Sequence, residues 1–478
     1  MNNLIFSLFN STAFQDFHYC YGRLWRDVVE VVYHFIIQFA VGEGVMHSAF
    51  CKLYTLFSFP MQKVWFKAAL VNLLIAAIMG AILRFAFVAE IPGFKFQYFL
   101  HGHSHVAMLG WVYLALFAFL IHSFLPAEKQ KSKYYHRLFW STQASVLGML
   151  IAFPLQGYAA FSIVFSAIHV VLSYLFILRF LKDLRLTIKA PSIGAITNKD
   201  TSIRSVFSHK FIRASFWFLI VSTIALWAMG PIMALDLKGT AWYYSGVQFY
   251  LHFQFNGWFI FAVLGLFFKI LEDKGIVLPP KLMQNFFILL VISCVLTYAL
   301  AVTWSTPLPI LFLINSVGVT IQFAALVCFL LIIKRLWKEL KSFFPKWVGV
   351  FFTVAFGCFV LKILIQTAVV VPYIGTVGYT IRNFVIGFLH LMLLGMITGF
   401  LLGFGAQKDM INRQDKWVRI GFVFFLIGFL LSELILFGQG LLFWGAMGFI
   451  PKYYEILFGV SVLMPLGIGG ILLGKKQN

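Results

Sequence analysis

Residues 97–125 read QYFLHGHSHVAMLGWVYLALFAFLIHSFL, and no Asp, Glu, Lys or Arg interrupts them. At 1.5 Å per residue such a helix is long enough to cross the roughly 30 Å hydrocarbon layer of a bilayer. Yet it opens on three closely spaced histidines, His101, His103 and His105. The rest of the chain shares its apolar character. Of 478 residues 61% are hydrophobic, only 11% are charged and 58 are Phe, and the mean hydropathy is +0.91. Soluble domains carry about a quarter charged residues. Most of this chain must therefore face lipid or other apolar helices, which predicts an all-α, polytopic membrane bundle.

Twelve spans are predicted, near 65–89, 97–125, 138–158, 159–181, 213–235, 244–271, 282–303, 308–334, 347–371, 379–405, 417–439 and 455–474. The third and fourth abut at Gln156-Gly157-Tyr158, the least certain boundary in the chain. Loops after even-numbered spans are rich in basic residues, for example Lys129, Lys131, Lys133 and Arg137, or Lys334, Arg335, Lys338, Lys341 and Lys346. Loops after odd-numbered spans hold little more than Lys95, Lys238, Arg382 and Lys452. The positive-inside rule then places both termini in the cytoplasm, with the chain in the inner membrane if it is bacterial. One span more or fewer would scramble this alternation.

The net charge of +21 raises the question of nucleic acid. The basic residues lie in short clusters between apolar runs, as in cytoplasmic loops, so no nucleic-acid partner is expected. The five cysteines form no C-x-x-C and no C-x-x-C-H, which argues against a disulfide framework and covalent haem attachment. Residues 1–60 differ from the remainder. They mix Asp16, Arg23, Arg26, Asp27, Glu30 and Glu43 into an aromatic background with no clean span. They read as a poorly ordered extension or a mis-assigned start before Met61. An amphipathic segment near 28–41 on the membrane surface is the rival reading. No cleavable signal peptide is evident. Residues 61–478 form the twelve-helix domain.

Ionisable groups inside a bilayer are costly and mark function. His105, His169, His252 and His390 fall within spans two, four, six and ten, roughly 12–17 Å from the outer end of each. Three share a pattern: His105-Val-Ala-Met-Leu-Gly-Trp, His252-Phe-Gln-Phe-Asn-Gly-Trp and His390-Leu-Met-Leu-Leu-Gly-Met, each with Gly five residues on. They lie 147 and 138 residues apart. This predicts a pseudo-threefold repeat of a four-helix unit.

Neutral imidazole ligates haem iron and copper. A bis-histidine haem needs one histidine from each of two facing helices, and small residues where the ring nears the backbone. Gly102 and Gly110 flank His105, and Gly387 and Gly395 flank His390. His105 and His390 are the expected axial ligands. His169, lacking the glycine, reads as a hydrogen-bonded core histidine. His101 and His103 read as facing interfacial water or a haem propionate. Arg84 and Arg382, at the outer ends of spans one and ten, are candidates to pair propionates; snorkelling at the interface explains them equally well. Lys362 and Glu433 lie in the outer halves of spans nine and eleven, as a structural ion pair or, less simply, part of a proton path.

Twelve spans, cytoplasmic termini and histidines on helices two, six and ten resemble subunit I of the haem-copper oxidase superfamily over about 65–474. That superfamily includes terminal oxidases and nitric oxide reductases. The resemblance implies that His105 and His390 bind a low-spin, b-type haem and that His252 is the first copper ligand. It implies a respiratory role with a quinol or a cytochrome c-type subunit as partner. Two departures matter. No histidine lies between His252 and His390 to complete a copper site, and the high-spin haem position two residues before His390 is Phe388. No stoichiometric copper is expected. The His-x-His near helix two is also similar to NnrS-type proteins of nitric oxide metabolism, although their motif continues His-Glu-Met and here Val106 follows His105. Three functions are in competition. They are haem-mediated electron transfer, a catalytic oxygen or nitric oxide reductase whose ligands are completed elsewhere, and a non-haem transporter or metal-handling protein.

Overall fold

The computed structural model describes residues 61–189 and 206–474. The expectations for residues 1–60, and the basic residues Lys199, Arg204, Lys475 and Lys476, lie outside the described residues. Twelve helices are long and apolar enough to cross a membrane, and no strand occurs among the described residues. We number them α1 (Met61–Phe85), α2 (Phe96–Phe124), α3 (Lys133–Gln156), α4 (Ala160–Ile188), α5 (Phe207–Ala234), α6 (Ala241–Asp273), α7 (Pro280–Thr303), α8 (Pro309–Arg335), α9 (Lys346–Ala368), α10 (Arg382–Gln407), α11 (Lys416–Trp444) and α12 (Tyr453–Leu473). The chain is an integral membrane protein of the polytopic, all-α class that its composition predicts.

Several helices run further than the apolar windows. α3 starts at Lys133 rather than near 138, and α11 continues to Trp444. Charged and aromatic end residues stay helical because their side chains reach the interface while the backbone keeps its hydrogen bonds. Local chemistry fixes the ends. The Asp415 carboxylate accepts from the Trp417 and Val418 amides at 2.8 and 3.3 Å, a side-chain N-cap for α11. Pro280 and Pro309 sit in the first turns of α7 and α8, where no amide hydrogen is needed. The predicted junction of the third and fourth spans is a tight turn at Gly157, whose φ of 64° suits glycine.

Each helix packs on its successor, and α12 returns to α1, closing a ring. α2, α6 and α10 are the most enclosed: 83, 89 and 61% of their apolar windows are buried, against 28 to 56% for the other nine helices. These three carry the His-x4-Gly pattern. They meet in the middle: Tyr113 of α2 contacts Trp258 of α6, with ring centroids 6.2 Å apart. The Trp111 indole of α2 donates to Thr398 Oγ1 of α10 at 2.8 Å. Thr398→Val leaves that buried N–H without a partner. It is expected to cost about 1 kcal/mol, read as a lower melting temperature in detergent.

The charged groups concentrate at the lysine-rich face. There Asp183 accepts from Tyr135 and Arg179, both at 2.9 Å, with Lys129 Nζ at 3.6 Å, tying α3 to α4. Glu272 accepts from the Phe207 and Ser208 amides and caps the start of α5 from α6.

Candidate functional site

A shared backbone irregularity marks the three patterned histidines. In each case the α-helix gives way to a π-helical segment at the next residue: Val106–Tyr113, Phe253–Phe259 and Leu391–Thr398. π turns are rare and concentrate at functional sites. No residue type in the pattern announces them. The shared His-to-Gly spacing is the one trace they leave in sequence. In α2 the altered bonding is accommodated by polar neighbours. Asn72 Nδ2 of α1 donates to the Gly110 carbonyl at 2.9 Å and to Gln143 Oε1 of α3 at 2.7 Å. Neither Asn72 nor Gln143 stood out in the sequence.

The patterned glycines do not cradle a cofactor. A Cβ on Gly110 would stand 2.8 Å from Val146 Cγ1, one on Gly257 would stand 2.5 Å from Phe218, and one on Gly395 would stand 2.5 Å from Cys358 Sγ. Each seats a side chain of an outer helix against an inner one, so packing is their role.

His105 and His390 are not brought together. Residues two apart on a helix differ by about 200° in direction, so His103 and His105 leave α2 on opposite sides. The His105 ring lies against Phe153, centroids 4.2 Å apart, with Tyr158 at 6.0 Å. Its Nδ1–H donates to the His101 carbonyl at 2.9 Å, and its electrostatic neighbours are His101 and His169. His390 instead has Arg84 of α1 and His103 of α2 in electrostatic range. The histidine in electrostatic range of His390 is His103, two residues before the one expected.

His103 Nδ1–H donates to the Ala76 carbonyl of α1 at 2.9 Å. That bond orients the ring and leaves Nε2 bare, the arrangement in which histidine ligates metal. Gly80 makes room for the ring: a Cβ there would be 3.1 Å from His103 Cε1. His103 and His390 stand seven and eight residues into α2 and α10, about 11 and 12 Å below the lysine-poor face. Although deep in the bundle, both rings remain partly accessible. The His390 side chain keeps 26% of its surface while its Nδ1 is fully buried. The accessible part is the rest of the ring.

Several charged groups lie near His390. Arg84 has Arg382, Glu433 and Tyr453 in electrostatic range, and Tyr453 accepts from Asn383 Nδ2 of α10 at 2.7 Å. Glu433 Oε1 is 3.8 Å from His390 Nδ1. Both oxygens of Glu433, and His390 Nδ1, are buried without a hydrogen-bond partner. Arg84 is the cation in electrostatic range of Glu433, and Arg382 in turn is in range of Arg84.

The expected ion pair of Lys362 with Glu433 does not form. Glu433 turns to Arg84 and His390, whereas Lys362, 1% exposed, has Cys294 and His252 in range. His252 is satisfied by protein: Nε2–H donates to the Cys294 carbonyl at 2.7 Å, and Asn256 Nδ2 faces Nδ1 at 3.4 Å. His252 therefore lacks the geometry of the copper ligand that the resemblance implies. His169 lies in the core against Tyr113, centroids 4.7 Å apart, close to Ser173. Among the described residues, no group of three or more His, Cys, Asp or Glu is arranged to hold a metal ion. Compared with protein-family models and with curated proteins, the chain matches none of them.

Proposed function

We propose that this protein binds a low-spin haem between α2 and α10, with His103 and His390 as axial ligands, and carries electrons within the membrane. One observation carries the reading. Two partly exposed histidines from two inner helices, His103 and His390, stand at similar depth in electrostatic range of each other, with Arg84 and Arg382 toward the lysine-poor ends of their helices. The residues present fit the group. His103 offers a bare Nε2, His390 presents its accessible edge, and Arg84 and Arg382, in electrostatic range of each other, suit propionate carboxylates. When bound, the haem supplies a one-electron carrier. The Ala76 carbonyl holds the His103 ring, and Arg84 and Arg382 pair carboxylates. The three inner helices, their π segments and their common pattern support a threefold relation of four-helix units of the oxidase subunit I type. Cytoplasmic termini, an inner membrane if bacterial, and a quinol or cytochrome c-type donor belong to the same reading.

An oxygen- or nitric oxide-reducing centre is disfavoured by the residues around His252. Phe388 has no ligating atom, and both His252 nitrogens face protein partners. Metal analysis of the purified protein is expected to find iron near one per chain and copper well below one. Stoichiometric copper that His252→Ala removes would restore the reductase reading. The haem itself is tested by a pyridine haemochrome assay and a reduced-minus-oxidised spectrum; purified, folded protein without haem would end the proposal.

A further inference from the structure

Three buried polar atoms at the α10–α11 contact have no hydrogen-bond partner: His390 Nδ1 and the two carboxylate oxygens of Glu433. They are neighbours, with Nδ1 and Oε1 3.8 Å apart. Glu433 is 7% exposed. A buried carboxylate that accepts nothing is expensive, and so is a buried ring nitrogen left unmet. A side-chain rotation of about 1 Å brings the pair to hydrogen-bond length and satisfies both. The cation in range of Glu433 is Arg84, and the Cys358 thiol of α9 lies on its other side. Nothing else charged is placed against the carboxylate among the described residues.

We propose that Glu433 is a positioning residue for His390: its carboxylate accepts the Nδ1–H of the imidazole and so leaves Nε2 bare. The inference deepens the haem reading and rests on it for its redox consequence alone. Imidazole carries one ring proton when neutral, so holding it at Nδ1 makes Nε2 a lone-pair donor. The two histidines are then held differently. His103 donates to a neutral backbone carbonyl, whereas His390 donates to a carboxylate. A carboxylate partner raises the basicity of the ligand and stabilises the more positive, oxidised iron. The opposite arrangement, a neutral Glu433 donating to Nδ1, would put the proton on Nε2 and turn a donor N–H toward His103.

The test has two arms. Protein labelled with ring-15N histidine is compared with His390→Asn to assign the His390 signals, in the dithionite-reduced state. The expected spectrum shows Nδ1 protonated and Nε2 without a proton, in the wild type and in Glu433→Gln, whose amide oxygen also accepts. Glu433→Leu, which cannot accept, loses that pattern. In the second arm Glu433→Gln keeps its haem, but its midpoint potential rises. The expected redox equilibrium shifts about tenfold, which is 59 mV for one electron. Glu433→Leu is expected to lose haem while eluting as folded protein. An Nε2-protonated His390 in the wild type overturns both the inference and the haem reading, whereas a Glu433→Leu variant unchanged in tautomer and midpoint overturns the inference and leaves the haem reading standing. Haem-free protein with the Nδ1–H pattern does the reverse.

Discussion

His103→Ala and His390→Ala are each expected to abolish the low-spin haem spectrum of the purified protein, whereas His105→Ala is expected to retain it. The expectation follows from directions on α2. His103 projects toward α1 and His390, while His105 projects toward Phe153 and Tyr158 and has the remaining histidines, His101 and His169, around it. On the proposed reading, either substitution would remove one of the two imidazoles that would hold the haem. Haem content should fall from near one per chain to a small fraction of that in both variants. The comparison is made on protein eluting as a monodisperse peak, because loss of cofactor and loss of fold then separate. Haem lost in His105→Ala but kept in His103→Ala would return the α2 ligand to the position first expected from the sequence pattern.

The second large effect lies away from the site. Gly467→Leu is expected to cost about 3 kcal/mol, the upper end for forcing extra carbons into a packed interior. Gly467 of α12 meets the backbone of α11: a Cβ there would stand 2.6 Å from the Phe425 nitrogen and 2.7 Å from the Gly421 carbonyl oxygen. Backbone cannot swing aside as a flexible side chain can. In lipid, close approach of small residues is what holds helices together. Gly469→Leu provides the control, since no atom lies within 4 Å of a Cβ at that position. It is expected to melt within about 0.5 kcal/mol of the wild type. Equal melting of the two variants in detergent would show that the α11–α12 contact is looser than described. The contact matters to the site because α11 carries Glu433 and α12 carries Tyr453.

Much of the architecture was legible without coordinates. Lipid demands long apolar helices with internally satisfied backbones, so twelve runs and an alternating loop charge are enough to lay out the bundle. The deep histidines were legible too, because an ionisable group in hydrocarbon is conspicuous. The enclosure of α2, α6 and α10 agrees with the pattern that singled them out. What periodicity did not resolve was which of several close histidines faces which neighbour. His103 and His105 are two residues apart, and a small rotation of α2 decides between them.

The amino-acid sequence by itself determined the class, the number of spans and the three helices that carry histidines, because hydropathy and charge act residue by residue. Tertiary structure alone decided the pairing. It set His103 rather than His105 beside His390, gave Glu433 to His390 rather than Lys362, and turned His252 onto the Cys294 carbonyl. It also revealed the π segments, which depend on backbone carbonyls finding partners such as Asn72 on other helices. Those outcomes depend on helix rotation and on distances between helices. Packing sets both, and no single stretch of chain encodes them.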